Sequence, residues 1–175
     1  MVNFPEINLR FYVREQASGQ RGVVFFRELV RSRRVAFVAR SIYNEPYFRA
    51  HIGESIERAD DALRVAYDFE IFGGRGRMSV QADPVSTTPD EDSPEHWFKK
   101  HQWGYGLTRR VQSLRYEVRH PVWACQRVRS ATIEVDWARV YGPDRSVLAA
   151  AKPVSTLLAA GSPIEVRTAE PLDAA

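Results

Sequence analysis

Trp-Gly-Tyr-Gly-Leu at positions 103–107, followed by Leu-Arg-Tyr-Glu-Val-Arg-His at positions 114–120, decides how this chain folds. In both segments large apolar or aromatic residues alternate with small or charged ones, which is the pattern of a strand with one buried face. A short connection separates the segments, so they predict the two arms of a β-hairpin. Pro121 ends the second arm, because proline cannot donate a backbone hydrogen bond to a neighbouring strand.

The register of this hairpin determines which side chains meet. With the turn centred on residues 110 and 111, the opposed pairs are Leu107 with Leu114, Tyr105 with Tyr116, Trp103 with Val118 and His101 with His120. Opposed side chains touch, and aromatic pairs in such positions stabilise a sheet. The register therefore predicts an aromatic cavity wall with two imidazoles at its edge. Its candidate ligand-binding residues are His101, Trp103, Tyr105, Tyr116, His120 and Trp123.

Most of the other elements are predicted to be strands. Alternating apolar residues predict strands near positions 7–13, 48–56, 63–71, 78–82 and 131–137, and the continuous apolar run at 23–26 predicts a more buried strand. Apolar residues at helical spacing predict a helix over 31–43. Ser93, followed by Pro94, is a good N-cap for a second helix.

These elements predict an α+β fold, mostly antiparallel sheet with one or two helices. The length and the absence of an internal repeat indicate a single domain over residues 1–167. Residues 84–92 are polar and acidic and are predicted to form a surface loop. Residues 168–175 are predicted to be a flexible tail.

The composition restricts the function classes. The 175 residues are 44% hydrophobic, which is enough for a core, and the net charge of +3 is mild. The arginines follow the polar faces of predicted strands, which disfavours a nucleic-acid surface with clustered arginine and aromatic platforms. The single Cys125 excludes an internal disulfide and suits a reducing compartment. With no signal peptide or long apolar run visible, we expect a cytoplasmic protein that binds no membrane.

Several short stretches occur in the order found in a known family. They are residues 4–13, 22–26, 38–40 continuing through 43–47, 103–105, 116–121 with Trp123, 141–143 and 161–163. On these stretches nearly the whole chain resembles the YqjF-like family of unknown function, within the acetoacetate decarboxylase-like superfamily. The resemblance implies a β-rich, barrel-like α+β fold around a central cavity. It implies no established activity, because the family is uncharacterised.

One departure from the family lies at the front of the chain. Family members usually carry further strands before the segment that matches Phe4-Pro5-Glu6, whereas this sequence begins almost there. A missing strand leaves a sheet edge unpaired. We therefore expect either a shortened version of the fold or a homodimer in which a partner subunit covers that edge.

A lysine pair provides the candidate for catalysis. In acetoacetate decarboxylases an adjacent lysine pair supplies the Schiff-base nucleophile, and Lys99 and Lys100 align close to that position. Burial and a second ammonium group both favour the neutral amine that attacks a carbonyl. On a helix begun by Ser93, Lys99 points to solvent and Lys100 lies beside the inward side, so Lys100 is the better nucleophile. Glu45 or Glu54 is the candidate acid/base partner.

Three functions remain open at this point. The first is a small-molecule-binding protein with the aromatic, histidine-lined cavity. The second is a lysine enzyme acting on a small keto acid through Lys100. The third is an arginine-rich nucleic-acid-binding domain. No metal or other cofactor is predicted, because His101 and His120 lack a further ligand at a recognisable spacing.

Overall fold

Two β-sheets and a few short helices make up the part of the chain that the computed structural model describes, which comprises residues 4–93, 96, 102–110, 112–159, 161 and 163–172. Numbered along the chain, the strands are β1 (Glu6–Arg14), β2 (Arg21–Val30), β3 (Tyr47–Arg49), β4 (His51–Arg58), β5 (Leu63–Ile71), β6 (Gly74–Thr87), β7 (Trp103–Leu107), β8 (Ser113–Arg119), β9 (Cys125–Val135), β10 (Leu158–Ala159), β11 (Glu165–Val166) and β12 (Glu170–Pro171). The fold is mostly β, with few helices and a curled, half-barrel sheet.

The chain divides into two compact units, each assembled from separate segments. Unit 1 consists of Met1–Pro5, Arg49–Pro89 and Trp123–Gly161, and unit 2 consists of Glu6–Phe48, Asp90–Val122 and Ser162–Ala175. The chain thus passes between the units several times, and neither unit is one continuous stretch of sequence.

Unit 1 contains a five-stranded sheet in the order β10-β9-β6-β5-β4, with every neighbouring pair antiparallel. Its core includes buried side chains of β5, among them Leu63 and Phe69. The ring of Phe69 packs directly over Gly76, where any side chain would collide with it. A short helix, α2 (Trp137–Tyr141), adds the fully buried Val140.

Unit 2 contains a seven-stranded sheet. Its main path is β1-β2-β7-β8-β11, with β3 on β2 and β12 on β8. The pairs β1–β2 and β7–β8 are antiparallel, and β2 and β7 run parallel. Leu29 and Val30 of β2 are completely buried. The strand predicted at 23–26 is the middle part of β2, which continues as far as these two buried residues.

The predicted helix at 31–43 is confirmed, in two parts. Helix α1 (Arg33–Val38) begins at the N-cap Ser32, whose Oγ accepts a hydrogen bond from the Val35 N–H at 3.3 Å. It continues as a π-helix (Ala39–Tyr43) and ends at Asn44 with a left-handed φ of 55°. Ser93 likewise accepts a bond from the backbone N–H of His96 at 3.2 Å, as an N-cap does. The rest of that predicted helix lies outside the described residues.

The hairpin is confirmed, but its predicted register is wrong by one residue. Tyr105 pairs with Arg115 and Gly104 with Tyr116, so Tyr105 and Tyr116 are not opposed. The Thr108 N–H donates to the Gln112 carbonyl at 2.9 Å, which closes a different loop from the predicted turn. Because side chains alternate along a strand, a slip of one residue moves them to the opposite face. Trp103 and Tyr105 therefore share one face of the hairpin, and Tyr116 lies on the other.

Two boundaries also differ from the prediction. Strand β6 extends to Thr87, so the first part of the predicted loop 84–92 is paired with β9. Trp137, predicted to end a strand, instead begins α2, because the Asp136 carboxylate caps the helix by accepting from the Arg139 N–H at 3.1 Å. Within the predicted tail, Glu170–Pro171 pairs with β8.

Candidate functional site

A buried glutamate stands at the centre of the candidate site. Glu28 of β2 is 3% exposed, although most of its neighbours along the strand are apolar. On β1, Asn8 pairs with Glu28 and Glu6 pairs with Val30. The Glu6 side chain therefore lies on the same face of the sheet as Glu28, where it accepts a hydrogen bond from the Asn8 amide at 2.6 Å.

The loop after the π-helix adds a third carboxyl group and a phenol. The Glu28 N–H donates to the Pro46 carbonyl at 3.0 Å, which holds this loop against β2. The loop places Glu45 near Glu28, and strand β3, which follows the loop, does the same for Tyr47. The Tyr47 hydroxyl donates to Glu6 Oε1 at 3.5 Å. Thus chain segments distant in sequence supply the acidic side chains.

Strand β8 supplies a second phenol. Tyr116 packs over Gly104, where a Cβ atom would collide with the Tyr116 ring. Its hydroxyl donates a hydrogen bond to Glu45. Gly106 lies beside the same carboxylate, since a Cβ there would be 3.6 Å from Glu45 Oε1. We call the complete set the carboxyl–tyrosine cluster: Glu6, Glu28, Glu45, Tyr47 and Tyr116.

Electrostatics keep a proton on Glu28. Burial, then the negative charge of Glu6 and a hydrogen bond with it, raise the pKa of Glu28 to about 9. Burial removes water from a charged carboxylate, and a second carboxylate repels it, so both effects favour the neutral acid. At neutral pH the Glu28 carboxyl is therefore a hydrogen-bond donor within the cluster.

The other members of the cluster are shifted in the same direction. Burial raises the pKa of Glu45, although the hydrogen bond from Tyr116 opposes that shift. Burial and the nearby carboxylates, above all that of Glu28 for Tyr47 and that of Glu45 for Tyr116, raise the pKa of both phenols well above the usual range. Both tyrosines thus remain neutral donors.

The cluster combines donors and acceptors for proton transfer or for binding a polar molecule. Within the described ranges, no group of three or more histidine, cysteine or acidic side chains is arranged to hold a metal ion. Groups with strongly shifted pKa values are concentrated at functional sites in proteins. This makes the cluster the candidate functional site of the chain.

The opposite face of the hairpin carries the other predicted aromatic residues. The Tyr105 hydroxyl donates to Glu15 at 3.3 Å, and Arg115 Nη1 lies 3.7 Å from the same carboxylate. The Arg115 guanidinium stacks over Trp103, 5.0 Å from the ring centroid. Tyr105 also covers Gly22 of β2. The Tyr105 hydroxyl and the Arg115 guanidinium on this face therefore both contact the Glu15 carboxylate.

The remaining predicted residues that the structure describes are not members of the cluster. His120 lines an open groove of about 760 Å³, together with Gln102, Pro163 and Ile164, and its Nδ1 is 2.9 Å from the Pro121 carbonyl. Glu54 is exposed on β4 of unit 1, and Trp123 precedes β9 in the same unit. Lys100 and His101 lie outside the described residues. Of the predicted site residues, the structure brings together Glu45 and Tyr116.

Three members of the cluster were not predicted as site residues: Glu6, Glu28 and Tyr47. A signal for Glu28 exists in the sequence, since it follows the apolar run at 23–26 and precedes Leu29 and Val30. A charge inside a buried strand needs partners, and charged residues are rarely fully buried without them. Glu6 and Tyr47 carry no comparable signal, because only the pairing of β1 and β3 with β2 brings them close.

Comparison with known proteins gives a family and no activity. The sequence profile of the DUF2071 family, described as an uncharacterised conserved protein, matches residues 1–163. This agrees with the resemblance to YqjF-like proteins. No curated protein matches the chain. Among the described residues, no helix is long and apolar enough to cross a membrane.

Proposed function

Since this chain belongs to the uncharacterised DUF2071 family, we propose its function from the site itself: it binds a small polar molecule at the carboxyl–tyrosine cluster. The fold that we propose for it is the acetoacetate decarboxylase-like barrel, which the two mostly antiparallel sheets support. We place this activity in the cytoplasm, because the buried Cys125 is a free thiol and suits a reducing compartment.

The observation that carries the proposal is the burial of Glu28 among other acids. Burying a carboxyl group beside two further carboxyl groups costs free energy that an apolar side chain of similar size would not. A buried acid held protonated at neutral pH is a typical donor in binding and catalytic sites. The cluster also includes half-buried members, Glu6, Glu45, Tyr47 and Tyr116, through which a ligand can reach it.

The chemistry of the cluster indicates the kind of ligand. The Glu28 carboxyl and the two phenols offer donors, while Glu6 and Glu45 offer acceptors. A neutral molecule with a carbonyl or hydroxyl oxygen can use both kinds of group. An anionic ligand would meet carboxylate oxygens, and that repulsion costs binding free energy. We therefore expect neutral carbonyl or hydroxyl compounds to bind better than carboxylic acids of the same size.

Ligand-detected NMR with a panel of small neutral carbonyl and hydroxyl compounds, amines and carboxylic acids tests this. We expect binding from the neutral compounds. Tyr116→Phe removes a donor of the cluster and should weaken binding roughly tenfold, the usual worth of a hydrogen bond in a desolvated site. The matched variant Tyr105→Phe removes the same hydroxyl from the opposite face of the hairpin and should leave binding unchanged.

Either of two results contradicts the proposal. One is that no neutral compound of the panel binds. The other is weaker binding in Tyr105→Phe than in Tyr116→Phe, which would place the ligand on the face with Trp103.

The alternative function is Schiff-base chemistry at Lys100, with Glu45, whose pKa burial raises, as the candidate acid/base partner. The carboxyl groups of the cluster disfavour it, because its keto-acid substrate is an anion. Borohydride reduction in the presence of small keto acids, followed by mass spectrometry, tests it directly. A stable adduct on Lys100 supports the alternative, and an unmodified lysine ends it.

A further inference from the structure

Helix α1 presents an exposed stripe that combines positive charge with apolar surface. Arg33 and Arg34 occupy its first turn, and Phe37 and Val38 follow one turn later, so that the four side chains lie at i, i+1, i+4 and i+5. All four are exposed, with Phe37 70% and Val38 42% accessible. The buried side of the helix is represented by Ala36.

Both halves of this stripe cost stability in the isolated chain. The N-terminal turn of a helix carries partial positive charge and disfavours cations, yet the first turn of α1, which the structure describes in full, holds two arginines and no acid. A phenylalanine with 70% of its surface in water forgoes the free energy of burial. A partner that is both anionic and apolar would remove both costs.

The loop of the β7–β8 hairpin extends the stripe into a patch. Arg109 Nη2 donates to the Ser41 carbonyl at 2.6 Å, and the Asn44 amide donates to the Leu107 carbonyl at 2.6 Å. These bonds hold the loop against the end of the π-helix. Leu107 is 51% exposed, and Arg110 is exposed next to it. We call this surface the α1 patch: Arg33, Arg34, Phe37, Val38, Leu107 and Arg110.

The two chain segments that form the patch carry charge of one sign. Residues 31–44 contain four arginines and no carboxylate, and residues 107–112 contain two arginines and no carboxylate. Two copies of the same patch would repel each other, which disfavours a symmetric contact through this face. The complementary surface is negatively charged.

We propose that the α1 patch is a docking surface for an anionic lipid bilayer, with the arginines on the headgroups and Phe37, Val38 and Leu107 at the level of the upper acyl chains. Basic residues interleaved with exposed apolar side chains are the features of peripheral, interfacial membrane binding. Such contact is reversible and needs no spanning segment. This proposal differs from the expectation from composition that the chain binds no membrane.

A nucleic acid is the other polyanion that could bind to this surface. The apolar side chains of the patch disfavour it. Arginine side chains bind the phosphates of nucleic acids and the anionic headgroups of lipids equally well. Val38 and Leu107, however, are aliphatic and cannot stack on bases as aromatic side chains do. A bilayer has an apolar layer directly beneath its charged surface, and so it uses both kinds of residue.

Co-sedimentation with vesicles tests the proposal. The full-length chain should bind vesicles of phosphatidylcholine mixed with phosphatidylserine and should not bind vesicles of phosphatidylcholine alone. Raised salt should weaken binding, because it screens the charge attraction. The double variant Arg33→Gln/Arg34→Gln should bind about 25-fold more weakly, which is a factor of about five for each charge removed. Phe37→Ser/Val38→Ser should lose a similar factor through its apolar contacts.

Two control variants match these changes in unit 1. Arg49→Gln/Arg64→Gln removes two exposed arginines, and Val85→Ser/Val154→Ser removes two exposed valines. Both controls should bind like the original chain, and thermal unfolding should confirm that all four variants fold. Equal losses in controls and patch variants would overturn the proposal, as would a failure to bind the mixed vesicles. Displacement from vesicles by single-stranded oligonucleotide, with tighter binding to the oligonucleotide, would assign the patch to nucleic acid instead.

Discussion

At the scale of single residues, Glu28 makes the stability of the fold depend on pH. Its pKa is about 9 in the folded chain, where burial and the neighbouring Glu6 and Glu45 disfavour its charge, against 4.5 for an ordinary glutamate. Between these two values the folded state retains a proton that the unfolded state has lost. Stability must therefore be full below pH 4.5 as far as this group is concerned and must fall as pH rises toward 9.

We predict that this one group lowers the free energy of unfolding by about 1.4 kcal/mol for each pH unit inside that window. Glu28→Gln keeps the size and the neutral hydrogen bonding of the protonated acid but cannot ionise. The variant should therefore show a flatter dependence and be more stable than the original chain at mildly alkaline pH. Urea unfolding at several pH values measures this.

Glu57, an exposed glutamate on β4, gives the matched control. Glu57→Gln should leave the pH dependence unchanged. If Glu28→Gln keeps the original slope, the carboxyl is ionised in the folded protein and the electrostatic account of the cluster is wrong.

At the scale of elements, the β7–β8 hairpin shows both what the sequence can predict and where that ends. Alternation along 103–107 and 114–120 was sufficient to identify both arms. The register depends on the geometry of the connecting loop, and the Thr108–Gln112 hydrogen bond shows a loop that the residue types did not specify. A slip of one residue was enough to separate Tyr105 from Tyr116 and to divide the predicted aromatic cluster between two faces.

The packing of Tyr116 on Gly104 offers a test of this register. An alanine Cβ at position 104 would collide with the Tyr116 ring. We predict that Gly104→Ala destabilises the protein by about 2 kcal/mol, the usual cost of overpacking. Urea unfolding measures the change.

Gly53 in β4 is the matched control, because a Cβ there would meet its nearest neighbours, atoms of Asp68, at 3.9 Å. Gly53→Ala should be neutral or stabilising by about 0.5 kcal/mol, since alanine loses less backbone entropy than glycine. The register in the structure is contradicted if both substitutions have the same effect, because in the predicted register Tyr116 would not cover Gly104.

The candidate site was harder to predict than the strands, for a related reason. The sequence predicts different roles for Glu45 and Tyr116, one as an acid and one as part of an aromatic wall. Their hydrogen bond depends on a loop and a strand that meet only in the folded sheet. The residue types indicate which chemistry a site can perform. Which distant segments come into contact is determined by the pairing of strands.

At the scale of the whole molecule, several strand pairings join segments that lie far apart in the sequence. Val23 of β2 pairs with Gly104 of β7, and Met78 of β6 pairs with Ile133 of β9. Forming each such pair requires the closure of a long loop, and this entropic cost precedes any free energy gained from strand pairing. Sheets with such pairs therefore fold slowly.

We therefore predict refolding on a timescale of milliseconds to seconds. Stopped-flow dilution from urea, followed by the fluorescence of the four tryptophans, measures it. A reaction complete within microseconds would show that local contacts govern folding despite these distant pairings.

The hydrogen that Glu28 retains also alters the molecule's electrical balance. The formal charge of +3 counts this side chain as an anion, so at neutrality the native chain is one unit more positive than that figure. Renaturation must then withdraw a hydrogen ion from the surrounding buffer. The heat of refolding measured in a calorimeter will therefore include the ionisation enthalpy of the buffer that supplies this hydrogen ion.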